Sequence, residues 1–424
     1  MLDLRRIREN RAEIELQLQR RGGQAALDEL LKLDKRRRDP IRTIDALQHE
    51  RKTAQELVAA AKRQGFQDTG ELLASLRTVA ERIRELEDEL RNVEQGIRSG
   101  LLCLPNVPHP SVPDGSTAAD NIEVRRWGEP QPREFRKDHL EIGRELNLLD
   151  FRRAAKVSGS GFVFYTAKGA QLERALVNFM LDFHTHRHGY REIFPPFLVL
   201  PSAMEGTGQL PNLRDDMYYI EQDGLFLIPT AEVPLTNYFA GEVLSSEDLP
   251  LKLCGYSACF RREAGSYGRE TRGLIRMHQF NKVELVRFCR PEDSYSELEQ
   301  LVAEVEAVLQ ALGLVYRVIL LCAGDLGFAS SKTYDIEVWS PCQQQWLEVS
   351  SCSNFEDFQA RRANIRFRSK HQGRPEFVHT LNGSGLATPR LMVALLEQFQ
   401  TPEGMVVIPE ALRSYCSFDI IARK

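Results

Sequence analysis

The sequence lacks several features that would have assigned it to a familiar class of protein. It contains no apolar run of the roughly 18 residues that a membrane-spanning helix needs, so a membrane role is not expected. It has no G-x-G-x-x-G motif and no P-loop lysine motif, which argues against a Rossmann or Walker-type nucleotide site. None of its eight cysteines forms a C-x-x-C pair, so neither a zinc knuckle nor a redox pair is indicated, and no zinc is expected.

The N-terminal segment carries several arginines but does not have the composition of a targeting sequence. Acidic residues at positions 3, 9, 13 and 15 break the acid-poor pattern of an organelle transit peptide, and no apolar signal core follows them. The cysteines are scattered, so we expect reduced and mostly buried thiols. These observations predict a cytoplasmic protein.

Three histidines at positions 184, 186 and 188 resemble a metal site at first sight. On the helix predicted there, residues two apart point to different faces, so the three cannot converge on one ion. Surface or packing roles are expected for them.

The length and the proline distribution predict more than one domain. A chain of 424 residues is too long for one simple core. Residues 104–115 contain four prolines and predict a stiff, extended connector. We therefore expect an N-terminal domain over 1–103, a linker over 104–115 and a second domain over 116–424.

A strict apolar repeat in the first domain predicts a coiled coil. Steps of four and three alternate through Leu72, Leu76, Val79, Ile83, Leu86, Leu90, Val93 and Ile97. Residues 27–62 offer a partner helix, whose apolar side consists of Leu30, Ile41, Ile44, Leu47, Ala54, Val58 and Ala61. Gly65 and Gly70 bracket the turn, so an antiparallel helical hairpin is predicted over about 27–98.

This arm has two possible uses. At 1.5 Å per residue, 26 to 35 helical residues extend roughly 40–50 Å, which suits an elongated partner. Self-association is the commoner use of such repeats, but in this hairpin the apolar sides of the two helices already cover each other. The segment Lys32–Arg63 also holds ten basic against five acidic residues. Since the net charge of the whole chain is only -4, this is a local bias that does not establish nucleic-acid binding by itself.

Pro40 falls inside the first arm helix, where it removes a backbone donor and crowds the preceding turn. Asp39 could cap a new helix that has Pro40 at its first position. The sequence therefore predicts a kink or a split of the first arm helix here.

The second domain shows runs of strands without a regular alternation of strand and helix, which favours an α+β fold with a mixed, mainly antiparallel sheet. Strand patterns occur at Leu225–Ile228, Val315–Leu321, Tyr334–Trp339 and Gln345–Ser350. Helical patterns occur at about 169–188, 294–312 and 389–400.

The most informative segment is CFRREAGSYGRETRGLIRMHQF, Cys259–Phe280, which leads into a predicted strand at Asn281–Phe288. It sets several charged side chains around a glycine-bearing turn: Arg261, Glu263, Arg269, Arg272, Arg276 and His278. Arginine presents a planar, always-charged fork that matches pairs of phosphate or carboxylate oxygens. An arginine-rich surface hairpin is the plainer interpretation, but the array also suits a polyanion bound in a cleft.

This segment resembles motif 2 of the class II aminoacyl-tRNA synthetases, in the form seen in seryl-tRNA synthetases. Three further blocks carry the resemblance in the same order: TAE at Thr230–Glu232, EVSSCSNFEDFQARR at Glu348–Arg362 and HTLNGSGLATPR at His379–Arg390. The resemblance covers essentially the full chain. The resemblance implies a class II catalytic domain with a mainly antiparallel sheet flanked by helices, preceded by the coiled-coil arm.

The resemblance implies a two-step reaction. Serine's carboxylate attacks the α-phosphorus of ATP to give seryl-adenylate and pyrophosphate, and the terminal ribose hydroxyl of tRNA(Ser) then takes the acyl group. tRNA(Sec) would also be charged, and the arm would grip the tRNA. Catalysis would rest on holding the reactants in line and on stabilising developing charge.

The residues implied for the nucleotide and the reacting groups come from motifs 2 and 3. Arg261 would contact the α-phosphate and the attacking carboxylate, with Glu263 and Arg390 completing the catalytic set. Phe280 and Arg390 would sandwich the adenine, which fits their stacking chemistry. Further ATP contacts are implied for Arg262, Arg276, Val349, Ser350 and Ser351.

For the metal, Glu348 is the preferred ligand for a Mg²⁺ ion bridging the phosphates, with Ser351 beside it. Glu337 is the less favoured alternative, and Arg361 and Arg362 have weaker claims.

The serine pocket implied by the resemblance consists of Thr230, Ala231, Glu232, Arg261, Glu284, Asn382 and Ser384. We expect Glu284 to accept a hydrogen bond from the substrate hydroxyl and Glu232 to meet the ammonium. A site built to bond a hydroxyl rejects an analogue lacking it by roughly 10⁴ to 10⁵. Rejecting threonine by crowding one methyl group is harder, at about 10 to 200-fold.

Two other features follow from the family pattern. The segment His188–Leu198 resembles motif 1, with Pro196 at the signature proline, and implies a homodimer. In motif 3, Thr388 and Pro389 precede Arg390 where a small residue is usual. We expect Thr388 to be the N-cap and Pro389 the first helical residue of the following helix.

Two alternatives to this function belong to other classes. One is a non-catalytic tRNA-binding paralogue that keeps the fold, and the other is a ligase that aminoacylates a carrier protein. Intact motif residues argue against the first, and the tRNA-gripping arm argues against the second.

Overall fold

The structure is a computed structural model that describes residues 1–23, 27–63, 70–132, 134, 136–264, 273–368 and 373–423. The chain forms two compact units. One contains Leu2–Leu16 and Gln24–Leu104, and the other contains Met1, Gln17–Gly23 and Pro105–Lys424. Gly65, Arg269 and Arg272 of the sequence prediction lie outside the described residues, as does the side chain of Ala61.

The described part of residues 1–103 contains four helices: α1 Leu4–Glu9, α2 Arg11–Gln19, α3 Leu27–Arg63 and α4 Gly70–Cys103. The two long helices, α3 and α4, pair as the predicted hairpin. The eight apolar positions of the repeat in α4 are buried or half-buried, and Leu30, Ile44 and Val58 face them from α3. The coiled-coil arm is therefore confirmed.

The predicted split of the first arm helix is wrong. Helix α3 runs through Pro40 without interruption. Pro40 is buried, and the side chain of Arg36, one turn earlier, bonds across the hairpin to Glu89 with Nη2 to Oε1 at 2.9 Å. A proline inside a helix costs about 3 kcal/mol, and continuous packing along the seam offsets this cost.

The rest of the chain contains nine further α-helices among the described residues. They are α5 His139–Glu145, α6 Phe151–Ser158, α7 Lys168–His188, α8 Pro201–Thr207, α9 Glu232–Thr236, α10 Ser294–Leu312, α11 Phe358–Ala363, α12 Thr388–Gln398 and α13 Glu410–Cys416. Short 3₁₀ turns lie at Ala118–Asp120, Arg214–Asp216, Asn237–Phe239 and Pro291–Asp293. Helices α7 and α10 end at glycines in the left-handed conformation, Gly189 and Gly313, which only glycine adopts without strain.

The described strands are β1 Ile122–Trp127, β2 Leu149–Asp150, β3 Phe164–Tyr165, β4 Arg191–Glu192, β5 Leu198–Val199, β6 Tyr219–Ile220, β7 Leu225–Leu227, β8 Val243–Ser245, β9 Leu251–Phe260, β10 Gln279–Cys289, β11 Tyr316–Leu320, β12 Lys332–Ser340, β13 Gln345–Asn354, β14 Arg366–Arg368, β15 Glu376–Phe377, β16 His379–Ala387, β17 Val406–Val407 and β18 Ile420–Ile421. Eight of them form the main sheet in the order β1-β11-β12-β13-β16-β10-β9-β4. All neighbours in it are antiparallel except β4 and β9, which are parallel. The predicted α+β class and mainly antiparallel sheet are confirmed.

The main sheet carries different layers on its two faces. Helices α7, α10 and α12 cover one face and supply the largest apolar core, together with strand residues such as Val283, Leu285 and Ile336. Val286 and Phe288, which point the other way from β10, join a smaller core with residues of α9 and α11. Part of this second face is left for polar side chains.

Within the part of the chain that the structure describes, no helix is both long and apolar enough to cross a membrane. The described residues also contain no cluster of three or more His, Cys, Asp or Glu side chains placed to hold a metal ion. Of the three neighbouring histidines, His184 and His188 do meet, with their Nδ1 atoms 3.0 Å apart. Burial and the neighbouring His188 lower the pKa of His184 to about 3, so its ring is a neutral packing group.

Candidate active site

Strand β10 places the first part of the site by simple alternation. Side chains of successive residues in a strand point to opposite faces of the sheet. Val283 and Leu285 enter the core beneath the helices, so Phe280, Lys282 and Glu284 point to the opposite face. The predicted adenine platform and the predicted hydroxyl acceptor thus share one face of one strand.

Two β-bulges place the second part. In β13 the pairing with β12 shifts by one residue at Val349, and in β16 the pairing with β10 shifts at Gly385. An extra residue in a strand reverses the alternation beyond it. As a result Glu348 and Ser351, three residues apart, face the same side.

These elements enclose a cavity of about 640 Å³. Most of the residues that the sequence predicted as the site line it: Thr230, Glu232, Arg261, Glu263, Arg276, Phe280, Glu348, Val349, Ser351, Asn382, Ser384 and Arg390. The lining residues that were not predicted are Gln209, Leu213, Asp216, Met217, Pro229, Ala264, Leu274, Ile275, Met277, Lys282, Ala387 and Pro389. Side chains from four separate sequence blocks therefore meet in one cavity.

One part of the cavity is cationic. The guanidinium carbon of Arg261 lies 5.1 Å from the ring centroid of Phe280, and its Nε donates to the carbonyl oxygen of Pro229 at 3.3 Å. Arg276 forms an ion pair with Glu263. Arg390 is held by two backbone carbonyls, with Nε to Ile275 O at 3.1 Å and Nη1 to Glu348 O at 2.7 Å. Each of these arginines is therefore held in place by bonds to the protein itself.

The other part is acidic and buried. Glu232 Oε1 accepts a hydrogen bond from Gln359 Nε2 at 2.7 Å. Burial, and then the charge of Glu284, raise the pKa of Glu232 to about 7, against the opposing bond from Gln359. Glu284 is fully buried, accepts from Thr230 Oγ1 at 2.7 Å and pairs with Lys282. A compact cation beside Glu232 would offset the cost of ionising Glu232 next to the charged Glu284.

The edge of the cavity at β12 and β13 fits a hard cation. Glu348 and Ser351 offer a carboxylate and a hydroxyl on the same face. Behind them Asp335 pairs with Ser351 in the sheet register, and its Oδ1 has no hydrogen-bond partner among the described residues. Burial, and then the charge of Glu348, raise the pKa of Asp335 well above its usual range. Glu348 Oε2 lies 3.4 Å from Arg390 Nη1, which balances part of its charge. The raised pKa of Asp335 means that ionising this carboxyl is unfavourable unless a cation lies beside it.

Four predicted site residues are not among the described residues that line the cavity. Ala231 and Ser350 are buried, and Ser350 Oγ donates to the carbonyl oxygen of Ser384 at 2.7 Å. Glu284 lies under Thr230 and Asn382, whose side chains bond to it. Arg262 is exposed and its guanidinium lies 5.9 Å from the ring centroid of Tyr218. None of the four has a side chain on the cavity surface of the described structure.

The weaker candidates lie elsewhere as well. Arg361 pairs with Asp357 at 2.7 Å, Arg362 bonds the carbonyl oxygens of Glu205 and Leu210, and Glu337 pairs with Arg317 at 2.7 Å. None of these three lines the cavity.

The predicted cap of the motif 3 helix is wrong by one position. Helix α12 begins at Thr388, so Ala387 is the N-cap and Pro389 is the second helical residue. The Thr388 hydroxyl does not cap the helix, because it bonds to the buried Glu173 of α7. Arg390 nevertheless points into the cavity.

Two important residues were not found from the sequence. Lys282 lies two positions after Phe280, so strand alternation would have placed it on the site face. Gln359, which holds Glu232, lies 127 positions away along the chain and belongs to a separate helix. No local pattern signals such a partner.

A mainly antiparallel sheet with helices on one face and a charged cavity on the other is the fold of the class II synthetases. Residues 218–399 match the sequence model of the tRNA synthetase class II core domain (G, H, P, S and T), and residues 1–108 match that of the seryl-tRNA synthetase N-terminal domain. The serine–tRNA ligase of Carboxydothermus hydrogenoformans is 52% identical over 425 residues, covering 100% of both chains. That of Geobacter sulfurreducens is 53% identical over 417 residues, covering 98% of both.

Among solved structures, the seryl-tRNA synthetase from Pyrococcus horikoshii complexed with ATP superimposes with a TM-score of 0.92 at 39% identity, covering 100% of both chains. The chain belongs to the seryl-tRNA synthetase family.

Proposed function

We propose that this chain activates L-serine with ATP and transfers the serine to the 3'-terminal ribose of tRNA(Ser). The observation that carries the proposal is the cavity itself, in which arginines adjoin the buried carboxylate of Glu232, with the carboxylate of Glu284 directly behind Thr230 and Asn382. The arginines suit a triphosphate, and the carboxylates suit a small zwitterion that carries a hydroxyl. The family membership supports the same reaction.

For the nucleotide, we assign Phe280 and Arg390 to the two faces of the adenine. Arg261 would hold the α-phosphate, Arg276 would add to the phosphate contacts, and Glu263 would help to fix the adenine. Glu348 and Ser351 would hold Mg²⁺, which supplies neutralisation of the phosphate charge when bound. Asp335 lies beside Ser351 in the sheet, and burial disfavours its ionised form, which a cation at this edge would stabilise.

For the amino acid, Glu232 would pair with the ammonium and Glu284 would accept the bond from the hydroxyl. Glu284 is already placed by Lys282 and Thr230, so its carboxylate cannot turn away when the substrate lacks a hydroxyl. The serine hydroxyl would add a further bond to this carboxylate, and alanine would bind more weakly because it cannot form that bond. Asn382 and Ser384 close the pocket from β16.

The first step would then follow from position and charge. Serine held by Glu232 directs its carboxylate toward Arg261, which also binds the α-phosphate. Attack forms the bond from the carboxylate oxygen to phosphorus and breaks the bond to the pyrophosphate oxygen, leaving seryl-adenylate. The arginines stabilise the charge that develops on the phosphoryl oxygens. No covalent intermediate with a side chain is needed.

We assign residues 1–103, with the arm over about 27–98, to tRNA binding, residues 104–115 to the linker and residues 116–424 to catalysis. The arm presents exposed basic side chains such as Lys32, Arg36 and Arg42 along α3. Such a row would contact the phosphates of a tRNA. We extend the proposal to tRNA(Sec), which the family pattern implies.

We further propose a homodimer that works in the cytoplasm. The motif 1 segment exposes large apolar side chains, with Phe194 77% exposed and Leu198 41% exposed. Exposed apolar side chains of this size favour a protein interface. All eight cysteines are free thiols, which suits a reducing compartment.

The pKa of Glu232 predicts a pH dependence of serine binding. Only the ionised carboxylate can pair with the ammonium, and its pKa of about 7 exceeds the usual carboxyl value. Ionisation is therefore lost as the pH falls through 7. The KM for serine should rise about tenfold between pH 8 and pH 6. Steady-state kinetics of the exchange reaction over this range would measure it.

The control is Glu232→Gln, which has no charge to lose. Its KM for serine should be high and nearly constant between pH 6 and pH 8. A KM that stays flat in the unmodified chain, or that rises equally in the variant, would contradict the role of Glu232.

The proposed function is tested by exchange of pyrophosphate into ATP with each of the twenty amino acids in turn. Serine should stimulate exchange strongly, and threonine only weakly because one methyl group crowds the pocket. Exchange driven by another amino acid would overturn the choice of substrate. No exchange with any of them would instead favour the non-catalytic tRNA-binding paralogue.

A further inference from the structure

A buried carboxylate behind the nucleotide side of the cavity has no assigned role. Glu173, on the sheet-facing side of α7, is only 6% exposed. Its Oε1 accepts a hydrogen bond from Asn281 Nδ2 at 2.8 Å and also bonds to the hydroxyl of Thr388. One oxygen thus joins the strand β10 to the first residue of helix α12.

The two partners of Glu173 are close neighbours of the two proposed adenine contacts. Asn281 follows Phe280 in β10, and it points to the helix side of the sheet because Phe280 points into the cavity. Thr388 precedes Arg390 by two residues, in the first turn of α12. The Glu173 carboxylate is therefore the shared anchor of both walls of the proposed adenine slot.

Other hydrogen bonds fix the orientation of the Asn281 side chain that bonds to Glu173. Tyr256 Oη donates to Asn281 Oδ1 at 3.1 Å, which sets the amide so that its nitrogen faces Glu173. The Thr388 hydroxyl also lies 3.1 Å from the carbonyl oxygen of Asn281. The strand and the start of the helix are thus linked directly as well as through Glu173.

The described bonds to Glu173 come from neutral donors and not from an ion pair. Among the described residues Oε2 has no hydrogen-bond partner, and neither has the buried hydroxyl of Tyr165 nearby. Burial raises the pKa of the Glu173 carboxyl, against the opposing bonds from Thr388 and Asn281. A buried acid without a cation is costly for the fold alone, which favours a role in the site.

We propose that Glu173 is a positioning residue for the nucleotide, which sets the spacing of Phe280 and Arg390 through Asn281 and Thr388. This inference rests on the proposed function, because it assumes that the adenine lies between those two side chains. Glu173 itself does not line the cavity. It acts on ATP and not on serine, whose pocket is anchored separately by Gln359 and Lys282.

The test is the pyrophosphate exchange reaction of the full chain, with KM measured separately for ATP and for serine. In Glu173→Ala the KM for ATP should rise about tenfold, as expected for losing a hydrogen-bonded support. The KM for serine should stay within about twofold. In Glu173→Gln the amide oxygen can accept the same two bonds, so the KM for ATP should return to within about twofold of the original.

A matched control is Glu306→Ala, which removes another buried carboxylate, one that pairs with Arg125 and lies outside the cavity. Both KM values should remain unchanged in it. A parallel rise of both KM values in Glu173→Ala, or a Glu173→Gln variant as impaired as Glu173→Ala, would overturn the positioning role.

If Glu173→Ala does not fold, as judged by near-ultraviolet circular dichroism, the isosteric Thr388→Val variant tests the positioning role instead. It removes one of the two bonds, and an unchanged KM for ATP in this variant would overturn the proposal. The proposed function is tested by the unmodified chain alone. If that chain shows no serine-stimulated exchange, the function is wrong, whereas normal exchange with equal KM values in the variants rejects only the inference about Glu173.

Discussion

Replacing Arg261 with alanine should abolish serine-dependent exchange of pyrophosphate into ATP. Arg261 lies where the two parts of the cavity meet, beside Phe280 and in the same lining as Glu232. We propose that it contacts both the α-phosphate and the attacking carboxylate, so its loss would remove alignment and charge stabilisation together. Loss of one preorganised donor costs about 10² to 10³ in kcat, and we expect a decrease of at least about 10³ here.

The comparison variants are Arg261→Lys and Arg153→Ala. Lysine retains the charge but lacks the two-pronged guanidinium, so only a small part of the activity should return. Arg153 is a surface residue whose side chain is 77% exposed, and its replacement should leave exchange unchanged. Exchange in Arg261→Ala within tenfold of the original rate would remove Arg261 from the reaction centre.

Deleting Lys32–Ile97 should remove tRNA charging and spare the exchange reaction. All the described residues that line the cavity belong to the unit that contains Pro105–Lys424, so the first reaction step should not need the arm. The deletion also leaves the two ends of the chain close together, because Gly100 packs against Leu30 across the hairpin. A Cβ added to Gly100 would lie 3.2 Å from Leu30 Cδ1. A short Gly/Ser turn can therefore join them.

Aminoacylation of tRNA(Ser) should fall to background in this deletion, while exchange keeps its rate and its KM for serine. A milder control keeps the arm and replaces Lys32, Arg36 and Arg42 with alanine. It should weaken tRNA binding and reduce its dependence on salt, since fewer phosphates are neutralised. Normal charging by the deleted chain would refute the role of the arm.

Much of the architecture could be predicted from local periodicity. The four-three repeat from Leu72 to Ile97 fixes which face of α4 is buried, and the same repeat is seen in the hairpin. The helices predicted at about 169–188 and 294–312 are observed as α7 and α10, because their apolar residues recur with the period of a helix. Local pattern and tertiary burial agree in these elements.

The motif blocks also indicated most of the cavity lining, although no spacing rule placed them together. The bulges at Val349 and Gly385 reverse the alternation in two strands, and neither has a sequence signature that period-two reasoning could use. At Pro40 the local rule predicted a break, but packing along the whole hairpin overrides it.

The supporting residues were the least predictable part of the site. Gln359 holds Glu232, and Glu173 joins Asn281 to Thr388, yet each partner is distant in sequence. A polar residue on a helix has the same local pattern whether it faces solvent or a buried site. Only the three-dimensional arrangement distinguishes the two cases.

The central claim is that one cavity holds the triphosphate, its metal ion and serine together. The most direct test is a crystal structure of the chain with ATP, Mg²⁺ and an unreactive serine analogue. We predict the adenine between Phe280 and Arg390, the α-phosphate on Arg261, metal density beside Glu348 and the amino group of the analogue on Glu232. A structure with Phe280 turned away from the base and no density beside Glu348 would contradict this account.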